Sequence, residues 1–219
     1  MARALDLYPP VERAHTRYTM LAVEILDAVS LERVTEGIEV TAKGLAGNVI
    51  RNASGMHVWL RQDRTRFDKL VVTPRARPYQ AVEIAAANVQ FPLHVVELMP
   101  LSSYPFGAGV SALRGRLIET APPPNTPATP VVGAVLRLEW LDDDGVTWRP
   151  TAQRARTDEK GEFAVFVRFT PIDMPLIDAG GNLSIRLFAM RAGLELKVQR
   201  AYPQGRVADD VLPWDQMVP

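Results

Sequence analysis

Residues Arg156–Phe169 read RTDEKGEFAVFVRF. Charged residues and one glycine run straight into an apolar alternation in which Phe163, Val165, Val167 and Phe169 share a face. A period of two over a short run marks a half-buried β-strand. The fold turns on what precedes it. TDEKGEF is either an acidic catalytic or metal-binding loop, or a turn that aims the strand.

The same period recurs along the chain. Ile38, Val40 and Ala42 alternate with Glu39, Thr41 and Lys43, and Leu136, Leu138 and Trp140 alternate with Arg137 and Glu139. NLSIRLF puts Leu183, Ile185 and Leu187 in phase, and LELKVQ does the same for Leu194, Leu196 and Val198. Helical candidates are weak. TRYTMLAVEIL is rich in strand formers, and in QAVEIAAANV Val82 and Ile84 alternate with Glu83, which predicts a strand. APPPNTPATP, 121–130, reads as a long hairpin loop, because its prolines cannot donate to a ladder.

The 219 residues, 47% of them hydrophobic, suffice for one large domain or two small ones with packed cores. Lys+Arg and Asp+Glu both number 25, and this zero net charge argues against a nucleic-acid binder driven by phosphate neutralisation, though not against a local basic patch. The absence of cysteine excludes disulfides, thiolate catalysis and thiolate metal sites. No apolar run reaches membrane-span length, and MARALDLYPPVERAH has no signal-peptide core. The expectation is a cytoplasmic protein, or a part of a particle assembled in the cytoplasm.

The stretch PLSSYPFGAGVSA, 100–112, separates two halves that repeat. Each half has a strand, a loop ending in Gly37 or Gly133, and an alternating strand straight after. A polar turn ending in Gly55 or Gly161 feeds another strand, and a hairpin pivots on TPRARP or MRAG. The expected organisation is an N-terminal arm at 1–17, a first sandwich at 18–100, a linker at 101–112, a second sandwich at 113–202 and a C-terminal arm at 203–219. The fold class is all-β: two tandem immunoglobulin-like or transthyretin-like antiparallel sandwiches with extended tails.

In the second half, LRGRLIE, VVGAVLRLEW, ARTDEKGEFAVFV and LSIRLFAMRAGLELKV occur in that order over 112–202. This succession resembles the carboxypeptidase-regulatory-like, transthyretin-like β-sandwich. EGIEVTAKG and NASGMHVWL give the first half a degenerate version of it. The resemblance implies a non-catalytic accessory: a carbohydrate-binding, adhesive, spacer or assembly module. In such a sandwich TDEKGEF is the turn. Thr157 and Asp158 hold local backbone groups, Gly161 supplies a positive φ, and Phe163 enters the core.

Other candidates divide the same way. HVVE, His94–Glu97, matches a zinc-ligand pair, but no histidine follows to complete a site and a strand would put the two on opposite faces. DDDG, Asp142–Gly145, is a calcium loop or a hairpin turn, and its consecutive acids favour the turn. Trp59, Trp140, Trp148 and Tyr79 are the candidates for a sugar platform. Trp140 is in phase with the core, which leaves Trp148 and Tyr79 as the ligand residues. No catalytic residue, metal or cofactor is expected. The tails carry Leu5, Leu7 and Tyr8 at one end and Leu212, Trp214 and Val218 at the other. They either dock on a neighbouring subunit or fold back to cap their own sandwiches, and the docking role is the one assigned. The function expected is structural: an adaptor or decoration of a larger particle of the phage-tail-like or contractile-injection kind, its partners being other subunits of the assembly or further copies of the chain. The alternative is a carbohydrate-binding or adhesion module.

Overall fold

The chain is described here by a computed structural model covering residues 19–45, 49–60, 66–124 and 126–219. Among these residues there is no α-helix. The period-two runs become strands because alternate β-branched and aromatic side chains fit a pleated surface with one buried face. The first half holds β1 Thr19–Asp27, β2 Ile38–Lys43, β3 Ile50–Arg51, β4 His57–Leu60, β5 Lys69–Pro74, β6 Val82–Ala85 and β7 Leu93–Leu98. The second holds β8 Ser111–Ile118, β9 Val135–Leu141, β10 Trp148–Pro150, β11 Ala155–Arg156, β12 Glu162–Val167, β13 Asn182–Arg191, β14 Leu194–Pro203 and β15 Val207–Pro213.

Each half is a two-sheet sandwich. In the first, the order β3-β4-β1-β7 faces β2-β5-β6. In the second, β12-β8-β15 faces β10-β9-β13-β14, with β11 also on β9. The inward faces close two separate cores. Leu21, Val23, Ile25, Trp59, Leu70 and Val72 belong to one. Leu117, Leu136, Trp140, Phe163 and Leu187 belong to the other. The repeat is visible in the backbone. Gly37 and Gly133 have φ +70° and +71°, and Gly55 and Gly161 have φ +83° and +75°.

Three expectations are corrected. First, pairing is antiparallel except at one seam in each sandwich, where the first strand lies parallel to the last: β1 with β7, and β8 with β15. Second, the loop 121–130 is hairpin-like only at its base, where Glu119 N–H donates to Thr129 O at 2.9 Å and Val131 N–H to Leu117 O at 2.9 Å. The chain then crosses to the other sheet as β9. Third, 203–219 is not a docking arm. Val207–Pro213 is the last strand of its own sandwich, in register with Ala112–Ile118 of β8.

The side chains explain that last result. Leu212 is 1% exposed and Trp214 9%, and both lie in the same core as Phe163. The Arg191 guanidinium, itself paired with Glu119, covers the Trp214 ring at 4.8 Å. Val218 stays exposed, but its backbone exchanges hydrogen bonds with Lys197 at 2.7 and 2.9 Å. In the same way Ser111 and Ala112, expected in the linker, open β8. Leu5, Leu7 and Tyr8 lie outside the described residues.

Removing 204–219 therefore strips one strand from a three-stranded sheet, together with Leu212, Trp214 and Met217 from the core. Each large apolar side chain contributes ~1.5–3 kcal/mol, a loss comparable to the stability of a whole domain. The expected result in calorimetry is loss of the second sandwich's transition with the first retained. Two intact transitions in the truncated chain would contradict the assignment of β15.

Candidate functional site

The residues singled out for chemistry are used up by turns. Asp158 Oδ1 accepts the backbone N–H of Lys160 and of Glu162, both at 2.8 Å. Thr157 Oγ1, buried, accepts Ala134 N–H at 2.9 Å and ties the turn to β9. A Cβ on Gly161 would stand 2.4 Å from the Leu117 carbonyl oxygen, so only glycine fits there. TDEKGEF is thus a turn that aims β12. In DDDG, Asp144 Oδ1 accepts Val146 and Thr147 N–H at 2.8 and 2.7 Å, and Asp142 Oδ2 accepts the Arg149 Nε–H at 2.7 Å. Their carboxylates are committed to the β9–β10 turn.

In β7, His94 is buried and Glu97 exposed, on opposite faces. His94 Nδ1 accepts the Gln90 N–H at 3.2 Å. Among the described residues no group of three or more His, Asp or Glu is gathered as a metal site would require. The aromatic candidates are dispersed. Trp59 and Trp140 sit in separate cores. Trp148 lies on the edge strand β10 with the Arg186 guanidinium 3.8 Å over its ring. Tyr79 belongs to the other sandwich, so it forms no platform with Trp148.

Tyr79 instead forms part of a joint that the sequence reading missed. Asp27 ends β1 on its inward face, in phase with Leu21, Val23 and Ile25, and is 6% exposed. A buried carboxylate must be met by donors. Its Oδ1 accepts Val29 N–H at 2.7 Å and Ser30 N–H at 3.3 Å. Its Oδ2 accepts the hydroxyls of Tyr79, at 2.9 Å, and of Tyr104. Four donors thus converge on one buried anion. Burial first, and then the bond to Asp27, pushes the Tyr79 phenol up to about 12. Tyr104 is raised for the same two reasons in the same order.

Tyr104 lies in the segment between the sandwiches, and the second sandwich grips it. Arg114 of β8 donates to the Tyr104 carbonyl and stands 5.5 Å over the Phe106 ring. Beside this contact Ala28, Ala112 and Phe166 form a small third core, with Val29, Met99, Phe106, Val110 and Val207 around it. Arg168 donates to the Ala28 carbonyl at 2.9 Å. The Gln80 side chain completes the joint. Its oxygen accepts Arg156 N–H at 3.1 Å and its amide donates to Arg156 O at 3.3 Å. It thereby mimics a strand against β11. The one legible signal was Asp27 itself, a charged residue in the apolar phase of β1.

Comparison with protein-family models and with curated proteins finds no match. Among solved structures, "The Bacillus anthracis TIE protein" is 12% identical with a TM-score of 0.30, over 89% of this chain. A streptococcal ancillary pilin is 10% identical with a TM-score of 0.27, over 90% of this chain. The chain spans 34% of the former's length and 62% of the latter's.

Asp27→Ala leaves two phenols and the Val29 N–H without their buried acceptor, and the expected loss is about 3–5 kcal/mol in urea unfolding. Tyr79→Phe removes one donor and keeps the anion satisfied by the rest, so about 1–2 kcal/mol is expected. The phenol shift adds a pH signature. A raised folded-state value means that the bond's stabilisation is complete below the ordinary tyrosine value of 10.0 and is lost as pH rises toward about 12. Equal small effects from both substitutions would show that Asp27 is not the acceptor that organises the joint.

Proposed function

We propose that this chain is a non-enzymatic structural component of a larger protein assembly. It is a stiff two-sandwich spacer or adaptor whose second sandwich is a carboxypeptidase-regulatory-like module. The setting we assign is a particle assembled in the cytoplasm, such as a phage-tail-like or contractile-injection particle. The observation that carries the reading is the outer face of the β3-β4-β1-β7 sheet. Ile50, Val58, Ala22 and Leu93 lie side by side in register, one apolar residue from each strand. A sheet with one face in water carries polar residues there. Here Ile50 is 46% exposed and Leu93 44%, with Val95 and Phe91 exposed beside them. Val58 between them is half-buried and Ala22 is buried, so the exposed apolar surface is concentrated at the β7 end, on Phe91, Leu93 and Val95. Exposed apolar side chains grouped in this way mark a surface that meets another protein.

The edge points the same way. β7 ends its sheet, and its outer edge meets no described strand. Its counterpart in the repeat, β15, carries Asp209, Asp210 and Pro213, the residues that discourage strand addition. β7 reads LHVVEL, with one acid.

The test is Leu93→Lys with Val95→Lys, expressed in the native host. In sedimentation the wild-type chain is expected to travel with a large assembly, and the double variant as a free 24.2 kDa chain with an unchanged thermal melt. Undiminished assembly of a folded variant would overturn the reading.

A further inference from the structure

All the histidines of this chain are at 15, 57 and 94, so the second sandwich has none. The two described ones share a single row of the first sandwich. Val23 of β1 stands opposite His57 of β4 on one side and opposite His94 of β7 on the other. Residues directly opposite in a ladder point to the same face, and Val23 is fully buried. The two rings therefore flank it inside the core, 6% and 9% exposed. Each ring has a buried nitrogen without a partner, Nδ1 of His57 and Nε2 of His94.

The surroundings offer a second proton nothing to bind. On the same face β1 presents Leu21, Val23 and Ile25, and the opposing sheet presents Val40, Ala42, Leu70 and Val72. The charged group opposite His57 on β3 is Arg51, which repels an imidazolium. Asp27 shares the face of β1 but is committed to its four donors at the far end. Glu24 and Glu97 belong to the outer face, Glu24 with Arg33 and Glu97 3.8 Å from Arg168. A buried imidazolium without an anion is costly, so acid drives these rings toward a state in which they reach water.

We propose that the first sandwich is an acid-sensitive module: protonation of His57 and His94 parts β1 from its neighbours and releases the joint that β1 carries, while the second sandwich stays folded. The route is mechanical. The strand between the two rings ends at Asp27, and Leu98 at the end of β7 accepts the Ala28 N–H at 3.2 Å. Burial lowers both histidines from the ordinary 6.5, with Arg51 adding to the effect at His57. A lowered folded-state value means that the unfolded state binds protons more readily. Stability is then complete above pH 6.5 and is lost as pH falls below it.

The experiment is urea unfolding of the full chain followed by amide cross-peaks from both sandwiches, at roughly pH 7.5, 6.5 and 5.5, above the ordinary carboxylate range. Between pH 7.5 and 5.5 the unfolding constant of the first sandwich is expected to rise by up to about tenfold for each histidine, up to about 100-fold for both. The second sandwich should move less than about threefold over the same range, since it has no histidine to take up protons. The double variant His57→Gln, His94→Gln should lose this response. Should it fail to fold, the single variant His94→Gln should show half the slope. The imidazole Cε1 protons of the folded wild type, read directly, should titrate with midpoints below the ordinary 6.5. An equal response in both sandwiches, an unchanged response in the variants, or imidazole midpoints at or above 6.5 would overturn the proposal.

Discussion

The Asp27 carboxylate is buried where β1 ends, and four donors hold it there. A buried anion permits few arrangements. Each donor must arrive from a fixed direction, and loss of one leaves a cost that packing does not offset. Two of the donors come from the turn that follows β1. The third comes from Tyr79, which precedes β6, and the fourth from Tyr104 in the segment between the sandwiches. One residue thus fixes the end of the first sandwich, the path of the connection and the docking of β8 through Arg114.

The rest of the interface serves that node. Phe166, Ala112 and Val207 lie on the outward face of the second sandwich's smaller sheet, which would otherwise meet water. Met99, Phe106 and Val110 from the connection cover them. Gln80 and Arg168 tie the flanks through backbone groups of the opposite sandwich. The result is a seam with a charged, directional centre and an apolar surround. Such a seam specifies one relative placement of the two sandwiches.

Much of the fold was legible because a sandwich strand shows its two faces in the sequence. Phe163, Val165 and Val167, and likewise Leu183, Ile185 and Leu187, are inward as their phase requires. Gly161 revealed its turn because only glycine tolerates both the positive φ and the Leu117 carbonyl. β15 was missed because Asp209, Asp210 and an exposed Val211 break the alternation. The repeat held the answer: the first half closes with LHVVEL as a seventh strand beside the first, and the second half must supply its own. The joint was not legible as a site. Its parts lie at 27, 79, 104 and 114, and which tyrosine meets which carboxylate is decided by tertiary placement.

The central claim is that this node makes the two sandwiches one body. It is tested most directly by residual dipolar couplings of the full chain in a single alignment medium. The account predicts one alignment tensor that fits amides of the strands of both sandwiches together, for wild type, and two tensors for the Asp27→Ala chain. Two independent tensors in the wild type would contradict it.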